Sequence, residues 1–398
     1  MTPTESSYDL LGIGFGPSNL ALAISLAETA NAGRGRASHL FLESQPGFVW
    51  HGDMLLPGSD MQISFLKDLV SLRDPTNPYT FTNYLHRHGR LARFANRKTF
   101  FPSRTEFNDY LRWVAGHFDD ACAYDQRVVN VEPMIENGAV TRLRVTSESR
   151  DGRRTVCHAR NLVAASGGQP AIPKGFETTR HDERVIHSSA YLGAVRRMAL
   201  NQGPPRRIAV VGGGQSAAEI FMDLAERFPE SRNDLIFRGH ALKPSDDSPF
   251  VNEIFDPDFT DTLYKRPPQA KARFQTTFRD TNYGVVDLKL IERIYNLLYE
   301  QEVAGIVGHE VHPLNEVIAS TATDAGITLS CRDVIGGQES QSRYDAVILA
   351  TGYRRNDLDG LFGNLRDWVV DTTVDRHYRL RTTTDFRPTV FCQGGNEA

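Results

Sequence analysis

The chain has 398 residues, and at about 150 residues per domain this length predicts two or three domains. Hydrophobic residues make up 40 % and charged residues 24 %, which is ordinary for a globular protein and excludes collagen, a coiled coil and general disorder. With 45 Lys and Arg against 49 Asp and Glu, the net charge is −4, so the composition predicts no general attraction to nucleic acid or anionic membrane.

The N-terminal region predicts neither a signal peptide nor a membrane span. Its apolar stretch, residues 10–27, is interrupted by three glycines, Pro17, Ser18 and Asn19. The cysteines lie far apart in the sequence, at Cys122, Cys157, Cys331 and Cys392. This spacing contains no redox CxxC pair and no zinc-ligand pattern, so we expect inert thiols in a reducing cytoplasm.

A glycine-rich turn close to the N-terminus predicts a strand–turn–helix unit that binds a dinucleotide. The apolar residues 8–14 lead into Gly14-Phe15-Gly16-Pro17-Ser18-Asn19, and a helical pattern follows over residues 20–27. Glycines allow a pyrophosphate to approach the backbone at the helix N-terminus, although Asn19 stands where a third glycine is usual. The next predicted strand ends at Glu43, about 24 residues further on, as expected of a carboxylate that binds a ribose. Because this fingerprint opens a long chain, we expect FAD as its ligand.

A second glycine loop predicts a second dinucleotide site. Residues 207–211 form an apolar run that leads into Gly212-Gly213-Gly214-Gln215-Ser216-Ala217 and then a helical pattern. The following strand ends in Arg238, where an acid would accept the ribose hydroxyls of NAD. A guanidinium instead matches the 2′-phosphate of NADP, so the sequence predicts NADPH, with Lys243 as a second phosphate ligand.

Two further segments predict how these two domains are connected. Residues 344–353 end in Ala350-Thr351-Gly352-Tyr353 and resemble the strand by which two-dinucleotide flavoproteins return to the flavin domain. Residues 162–168 resemble the outward crossing, and residues 287–299 carry apolar side chains at helical spacing. We therefore predict an α/β fold with two Rossmann-like dinucleotide-binding domains and a smaller, mainly helical substrate-binding region. The predicted boundaries are 1–167 with 345–398 for FAD, 168–244 with 301–344 for NADPH, and 245–300 for the helical region; residues 146–155 and 332–344 are predicted hairpins or loops.

Longer motifs narrow the class of flavoprotein. The absence of a CxxC pair excludes the disulfide reductases, whereas residues 187–191 are similar to a segment of flavin-containing monooxygenases. Residues 50–55, 61–69, 246–253 and 281–286 together resemble the microbial L-ornithine N-hydroxylases of siderophore biosynthesis, which are flavin-dependent N-hydroxylating monooxygenases. This resemblance runs from Tyr8 to the last residue. The related L-lysine N-hydroxylases share the 61–69 region but lack the motifs at 246–253 and 281–286, which favours ornithine.

The resemblance implies a reaction. NADPH reduces FAD, the reduced flavin adds O₂ to give a hydroperoxide at carbon 4a, and the side-chain amine of L-ornithine attacks the distal oxygen. In the family, bound NADP⁺ shields the site from water and the enzyme is a homotetramer, and the resemblance implies both here. Only a neutral amine has the lone pair for this attack, and its unperturbed pKa of about 10.4 has to be offset by desolvation and uncharged partners. The alternatives are a lysine or diamine hydroxylase of the same family and a non-catalytic protein that binds FAD and NADP.

The motifs and the resemblance together assign three sets of site residues. Residues assigned to FAD are Gly12, Gly14, Gly16, Pro17, Ser18, Asn19, Glu43, Trp50, His51, Met61, Gln62, Arg104, Val128, Thr351 and Gly352. Residues assigned to NADP are Gly212, Gly213, Gly214, Gln215, Ser216, Arg238, Asn282, Tyr283 and Gly284. Residues assigned to the substrate are Lys67, Asn252, Glu253, Ile254, Phe255 and Asn282, and Gln62 and Asn282 are predicted to lie nearest the reaction.

Individual positions carry further expectations. Lys67 matches the lysine that pairs with the substrate α-carboxylate and so discriminates against diamines. Arg104 lies near the flavin or, alternatively, pairs with Glu106. Gly284 stands where the family has a serine. Asp246 and Asp247 are expected to cap a turn before Pro249. The spacing of the histidines indicates no ligand cluster, so no metal site is predicted.

The end of the chain carries one more expectation. Residues 390–393 read as a strand, and the sequence stops after Asn396-Glu397-Ala398. In the family, such a strand leads into a Thr-His-Gly-Leu-Ser-Asp run that opens a helix facing the flavin and substrate. Because every upstream motif is present, we expect such a tail to follow residue 398; without it, the flavin site would be damaged.

Overall fold

The computed structural model describes residues 6–201, 205–281, 283–354 and 358–394. The described strands are β1 Ser6–Ile13, β2 His39–Leu42, β3 Cys122–Ala123, β4 Arg127–Glu136, β5 Ala139–Glu148, β6 Arg154–Ala164, β7 Gln169–Pro170, β8 Val185–His187, β9 Arg207–Val211, β10 Arg232–Ile236, β11 Lys243–Pro244, β12 Val285–Val286, β13 Glu310–His312, β14 Asn315–Thr323, β15 Gly326–Asp333, β16 Glu339–Tyr344, β17 Ala346–Leu349, β18 Tyr353–Arg354, β19 Val369–Val374, β20 Leu380–Thr382 and β21 Thr389–Cys392.

The described α-helices alternate with these strands along much of the chain. They are α1 Pro17–Asn31, α2 Phe81–Arg87, α3 Leu91–Asn96, α4 Arg104–Ala115, α5 Tyr191–Asn201, α6 Gln215–Arg227, α7 Pro249–Asn252, α8 Pro257–Tyr264, α9 Pro268–Thr277, α10 Leu288–Ala304 and α11 Leu358–Phe362. Among the described residues, no helix combines the length and apolar character that crossing a membrane requires.

The chain divides into two compact units, which we call unit 1 and unit 2. Unit 1 comprises Met1–Trp50, Asp60–Gln169 and Arg354–Ala398, and unit 2 comprises His51–Ser59 and Pro170–Tyr353. Unit 2 continues past the return boundary predicted at residue 345, because β17 pairs in parallel with both β8 and β9. The helical segment predicted as a separate region, residues 245–300, also falls within unit 2.

Unit 1 is built on a mixed sheet with strand order β3-β2-β1-β6-β5-β4, and β21 pairs with the C-terminal half of β6. Strands β3, β2, β1, β6 and β21 are parallel, whereas β4, β5 and β6 form an antiparallel meander. One face packs Leu20, Ile24 and Phe41 with the aromatic side chains of α2 and α4. The opposite face buries Leu11, Leu42 and Leu162. The first glycine turn therefore lies at the carboxyl end of a central parallel strand, where open α/β sheets bind ligands.

Unit 2 contains a fully parallel sheet with strand order β13-β10-β9-β17-β8. Helices α5, α6 and α10 cover one face through a core that includes Ile208, Val210 and Phe221. The other face, with Ala209 and Val347, packs in a core that contains the three-stranded meander β14-β15-β16. These two sheets with their glycine turns confirm the predicted α/β class with two Rossmann-like folds. The hairpins expected near 146–155 and 332–344 are the β5–β6 and β15–β16 turns.

A short insertion joins unit 2 from the N-terminal part of the chain. The Asp53 carboxylate accepts a hydrogen bond from the Gly193 amide at 2.8 Å. Met54 and Leu56 are buried in the same core as α5 and α6. These long-range contacts explain why His51–Ser59 belongs to unit 2, although its sequence neighbours lie in unit 1.

Candidate functional site

The first glycine turn has the shape that a bound pyrophosphate requires. Gly14 has a φ of +82°, and a Cβ there would lie 2.5 Å from the Ala165 carbonyl oxygen. Gly16 is the N-cap of α1, and a Cβ there would meet no atom within 4 Å. Among the described residues no side chain caps this helix, and its first turn holds no acidic residue. Backbone N–H groups of the turn are thus available to a phosphate, next to half-buried Pro17 and Ser18.

The buried side chains of Glu43 and Asn19 form hydrogen bonds to this turn. Glu43 is 8 % exposed, and its carboxylate accepts hydrogen bonds from the amides of Phe15 at 2.7 Å and Gln45 at 2.9 Å. Asn19 is fully buried, and its amide donates to the Gly14 carbonyl at 2.6 Å. The Asn19 side chain therefore shapes the turn from the protein interior. A Cβ at Gly12 would lie 2.2 Å from the Phe41 ring, so Gly12 permits strand packing.

The motif at residues 61–69 lies in unit 1 and combines buried and accessible side chains. Met61 is buried at 6 % exposure in the aromatic core, so its side chain serves packing, whereas Gln62 is exposed. Lys67 is half-buried and ends a 3₁₀ turn that Ser64 caps.

Asp68, which sequence reasoning left without a role, organises the chain after Lys67. Its carboxylate accepts hydrogen bonds from the amides of Val70, Ser71 and Phe81 at 2.6 to 2.9 Å. It also accepts one from the Ser71 hydroxyl at 2.7 Å. Asp68 therefore fixes the position of the Lys67 turn. Asp68 precedes Val70 by two residues, which is the spacing at which an Asp side chain accepts a hydrogen bond from a backbone amide in an Asx turn. This spacing could have identified Asp68 from the sequence.

The remaining residues assigned to FAD divide between the two units. In unit 1, the Trp50 amide donates to Asn108 Oδ1 at 2.8 Å, and Val128 lies half-buried at the start of β4. Arg104 begins α4, while Glu106 pairs with Arg90 at 3.4 Å and Arg97 at 3.7 Å. His51, Thr351 and Gly352 belong to unit 2.

His187 fixes the turn at Thr351 and Gly352 within unit 2. The Thr351 hydroxyl donates to the Ala171 carbonyl at 2.6 Å, and Gly352 has a φ of +75°. His187 Nε2 lies 3.0 Å from the Gly352 carbonyl, and the Ser189 amide donates to His187 Nδ1 at 3.1 Å. Burial lowers the pKa of His187, so the imidazole is neutral and donates from Nε2. The His51 and His187 rings both contact Tyr353.

The second glycine turn repeats the geometry of the first within unit 2. Gly212 has a φ of +146°, and a Cβ there would lie 2.3 Å from the Ala350 carbonyl oxygen. Gly213 packs on Phe237, with its Cβ position 3.2 Å from that side chain. Gly214 is the N-cap of α6, whose first turn lacks both a side-chain cap and an acid among the described residues. This turn also fits the phosphates of a dinucleotide.

The residues after this turn show which side chains remain accessible to a nucleotide. Gln215 is engaged at both ends: its carbonyl oxygen accepts from the Asp287 amide at 2.7 Å and its amide donates to Glu219 at 2.8 Å. Ser216 is half-buried in the same turn. Arg238 is 74 % exposed and lies 3.6 Å from Glu316, while Lys243 lies in β11, which pairs with β12. Arg238 is thus accessible to a phosphate, whereas Gln215 positions α6 against α10.

Residues 245–284 carry most of the substrate motifs. The Asn252 side-chain amide donates to the Asp247 carbonyl at 2.7 Å. The Asp246 carboxylate accepts from the Ser248 amide at 3.1 Å, which confirms its predicted turn-capping role. Glu253 and Phe255 are exposed and Ile254 is half-buried. Predicted substrate residues thus occur in both units, with Lys67 in unit 1 and Asn252 to Phe255 in unit 2.

The backbone conformation at position 284 explains why a glycine stands where the family has a serine. It has a φ of +73°, which disfavours side chains, and its Cα lies 3.4 Å from the Cβ position of Gly214. Tyr283 beside it is 41 % exposed. Asn282, the predicted residue nearest the reaction, lies outside the described residues.

A charged cluster in unit 2, in which Asp234 is buried and Glu310 and His312 are half-buried, was not anticipated from the histidine spacing. Asp234, Glu310 and His312 place carboxylate and imidazole atoms within 4.8 Å of one another. Arg207 lies 2.7 Å from Asp234, and Arg232 lies 2.7 Å from Glu310. Because guanidinium groups already neutralise both carboxylates, the cluster is an ion-pair network rather than a set of open metal ligands.

Comparison with known proteins identifies the class to which this fold and these motifs belong. Residues 6–355 match the model of the L-lysine 6-monooxygenase/L-ornithine 5-monooxygenase family, and the chain belongs to that family. The L-ornithine N(5)-monooxygenase of Pseudomonas aeruginosa is 48 % identical over 397 residues, which cover 100 % of this chain and 89 % of that protein.

Solved structures agree with this assignment. The ornithine hydroxylase of Pseudomonas aeruginosa superposes with a TM-score of 0.93 at 48 % identity, covering 98 % of this chain and 93 % of that one. The ornithine N-hydroxylase of Kutzneria sp. 744, solved with reduced FAD, NADP⁺ and L-ornithine, superposes with a TM-score of 0.91 at 36 % identity, covering 98 % and 93 %. The chain is similar to both along nearly its whole length.

Proposed function

We propose that the chain hydroxylates the side-chain amine of L-ornithine, with FAD as flavin and NADPH and O₂ as co-substrates, in the first step of hydroxamate siderophore biosynthesis. The observation that carries this proposal is the 48 % identity over 397 residues to an L-ornithine N(5)-monooxygenase. Two uncapped helix N-termini at glycine turns, one in each unit, support two dinucleotides in one chain.

Each glycine turn has a distinct proposed ligand. The turn from Gly12 to Asn19 would hold the FAD pyrophosphate, with Glu43 fixing the turn through the Phe15 amide. The turn from Gly212 to Ser216 would hold NADPH, and exposed Arg238 would exchange its contact with Glu316 for the 2′-phosphate. The flavin supplies the oxygen activation that no protein side chain provides. The chain's own residues bind, orient and exclude water.

Substrate recognition would depend on where positive charge is placed. We propose that Lys67 pairs with the α-carboxylate of the amino acid, which a diamine lacks. Asn252 and Asn282 would act as uncharged partners, because an adjacent carboxylate would favour the unreactive ammonium form of the side chain. The Asn252 side chain donates to Asp247 through its amide nitrogen. Its carbonyl oxygen takes no part in that bond and would contact the substrate.

We further propose that the enzyme acts in the cytoplasm as a homo-oligomer, a tetramer by family resemblance. Four free cysteines, three of them buried, are consistent with a reducing compartment. Because the net charge is −4, we propose no nucleic-acid partner.

A product assay tests the proposed reaction. Purified protein supplied with FAD, NADPH and O₂ is given L-ornithine, L-lysine or putrescine, and the hydroxylamine product is quantified beside NADPH oxidation. We expect hydroxylated product only with L-ornithine, at a yield that accounts for most of the NADPH consumed. Hydroxylamine from lysine or putrescine but not from ornithine would contradict the substrate assignment. NADPH oxidation without product from any amine would contradict the proposed reaction.

A further inference from the structure

Two segments assigned to different ligands meet within unit 2. The glycine turn proposed for NADPH includes Gly214, and a Cβ there would lie 3.4 Å from the Cα of Gly284. Gly284 belongs to the 281–286 motif, which carries the predicted substrate residue Asn282. Val286, at the end of this motif, is fully buried in the core that contains α6 and α10. The turn and the motif are therefore parts of one packed structure.

The side chain of Gln215 joins this turn to the residue that follows the motif. Gln215 begins α6, and its side-chain carbonyl oxygen accepts a hydrogen bond from the Asp287 amide at 2.7 Å. Its side-chain amide donates to the Glu219 carboxylate at 2.8 Å. Glu219 lies one turn further along α6 and is 7 % exposed, so it is a fixed acceptor. With a protein partner at each polar end, the Gln215 side chain holds two elements together.

Asp287 lies at a junction from which both predicted substrate motifs extend. Its carboxylate caps α10 by accepting from the Leu290 amide at 3.1 Å. Immediately before it, the Val286 carbonyl accepts from the Ser245 amide at 3.0 Å, where β12 pairs in parallel with β11. Ser245 directly precedes the 246–253 motif. The bond from Gln215 to Asp287 therefore helps to fix the start of one substrate motif and the end of the other.

The chemistry of this junction suits a glutamine. One side chain has to accept from a backbone amide and donate to a carboxylate, and a primary amide does both. A methionine has a similar length but neither group, so it would leave the half-buried Asp287 amide without this partner. A glutamate could accept from Asp287 but would place a second carboxylate against Glu219.

We propose that Gln215 is a positioning residue for the amino-acid substrate, acting through Asp287 and the β11–β12 pair. This inference rests on the proposed function, because it requires that L-ornithine binds to the two motifs. The effect of the Gln215 side chain falls on ornithine more than on NADP, although its sequence position assigns it to NADP. Ser216, half-buried in the same turn, keeps its direct assignment to NADP.

Calorimetric titration of the full chain loaded with FAD separates the two ligands. NADP⁺ is titrated alone, and L-ornithine is titrated with NADP⁺ at saturation. We expect Gln215→Met to weaken ornithine binding about 10-fold and to change NADP⁺ binding by less than about threefold. The matched variant Ser216→Ala, one residue away, should show the opposite pattern, with weaker NADP⁺ binding and unchanged ornithine affinity.

An exchange of the two side chains tests whether the hydrogen bonds are the cause. Combining Gln215→Glu with Glu219→Gln keeps the total charge, keeps an oxygen for the Asp287 amide and reverses the donor and acceptor between positions 215 and 219. This double variant should bind ornithine within about threefold of wild type, whereas Gln215→Glu alone should bind it more weakly. Circular dichroism and thermal unfolding establish that each variant is folded, and the double variant provides the test if Gln215→Met does not fold.

The outcomes distinguish this inference from the proposed function. If wild-type protein binds ornithine and Gln215→Met binds it equally well, the inference is wrong and the proposed function stands. Equal weakening of NADP⁺ and ornithine binding in Gln215→Met would indicate a general structural role and would also overturn it. A folded double variant that does not recover ornithine affinity would overturn the role of the hydrogen bonds. Wild-type protein that binds NADP⁺ but no ornithine would contradict the proposed function, and the inference with it.

Discussion

At the scale of single residues, two glycines in one turn have separable roles. Gly14 needs its glycine for the fold, since its φ is +82° and a Cβ would lie 2.5 Å from a backbone oxygen. Gly16 has an ordinary φ of −74° and open space around its Cβ position. We predict that Gly14→Ala lowers the free energy of unfolding by about 2 kcal/mol or more. By contrast, Gly16→Ala should leave the free energy of unfolding of the flavin-free protein unchanged and weaken FAD binding about 10-fold. Guanidinium unfolding and FAD titration measure the two effects, and full FAD affinity in Gly16→Ala would contradict the proposed phosphate position.

Lys67 allows a test of how the substrate carboxylate is recognised. Replacing it by methionine keeps most of the length and removes the charge, so Lys67→Met should raise KM for L-ornithine about 10- to 100-fold with a smaller change in kcat. KM for putrescine, which has no carboxylate, should not rise. The control Lys98→Met removes an exposed lysine from the same unit and should leave both KM values unchanged. A parallel rise for both amines would argue against carboxylate pairing.

Residue types were easier to predict than side-chain directions. The glycines, Glu43 and Arg238 occupy the positions that short-range spacing indicates, because a phosphate turn is a local structure. Asn19 and Met61 instead face the interior, since their environments depend on Phe41 and on helix α4 far away in the sequence. Single positions in a motif therefore carry less information about contacts than about conformation.

At the scale of elements, Asp68 joins the Lys67 turn to helix α2. Its carboxylate accepts from three backbone amides, including that of Phe81 at the start of α2. Removing it leaves partly buried donors without partners, so Asp68→Ala should lower the free energy of unfolding by about 2–4 kcal/mol. Asp74→Ala provides the control, because the hydrogen bonds that the Asp74 carboxylate accepts from described residues come from Thr76 in its own turn. Urea unfolding measures both, and similar losses in the two variants would contradict a special role for Asp68.

Elements with a local signal were predicted well, and elements set by long-range pairing were not. Strands β1, β2, β9 and β10 and helices α1, α6 and α10 follow apolar periodicity and glycine turns. The 345 boundary differs because β17 resembles a connecting strand in sequence but completes the parallel sheet of unit 2 by pairing with β8 and β9. Likewise, nothing in residues 51–59 indicates that Asp53 bonds to Gly193, 140 residues away. Local sequence does not contain the partner of such contacts.

At the scale of the whole molecule, each unit places its glycine turn at the carboxyl end of a parallel strand, directly before a helix that covers the sheet. The same physical solution occurs at Gly14 and Gly212, where a backbone carbonyl from the neighbouring strand's end leaves no room for a Cβ. The two glycine turns therefore share one local structure, and they differ in the residues that surround them. In unit 1 a carboxylate, Glu43, follows the second strand, whereas in unit 2 an exposed arginine, Arg238, does so. This difference in charge is what distinguishes the two proposed nucleotides.

The free energy of unfolding of unit 2 should depend on pH because of one buried carboxyl group, that of Asp234. Burial alone would raise the pKa of Asp234, but the His312 imidazole 3.6 Å away and hydrogen bonds from Tyr344 and Arg207 outweigh it and hold that pKa well below its usual range. A lowered pKa in the folded state stabilises the protein above the unfolded value of about 3.9, and this contribution is lost as pH falls further. Asp234→Asn should therefore cost about 3–5 kcal/mol at pH 7 and less at pH 3. The control Asp151→Asn changes an exposed turn and should follow wild type closely. Equal destabilisation by Asp234→Asn at both pH values, measured by urea unfolding, would contradict this linkage.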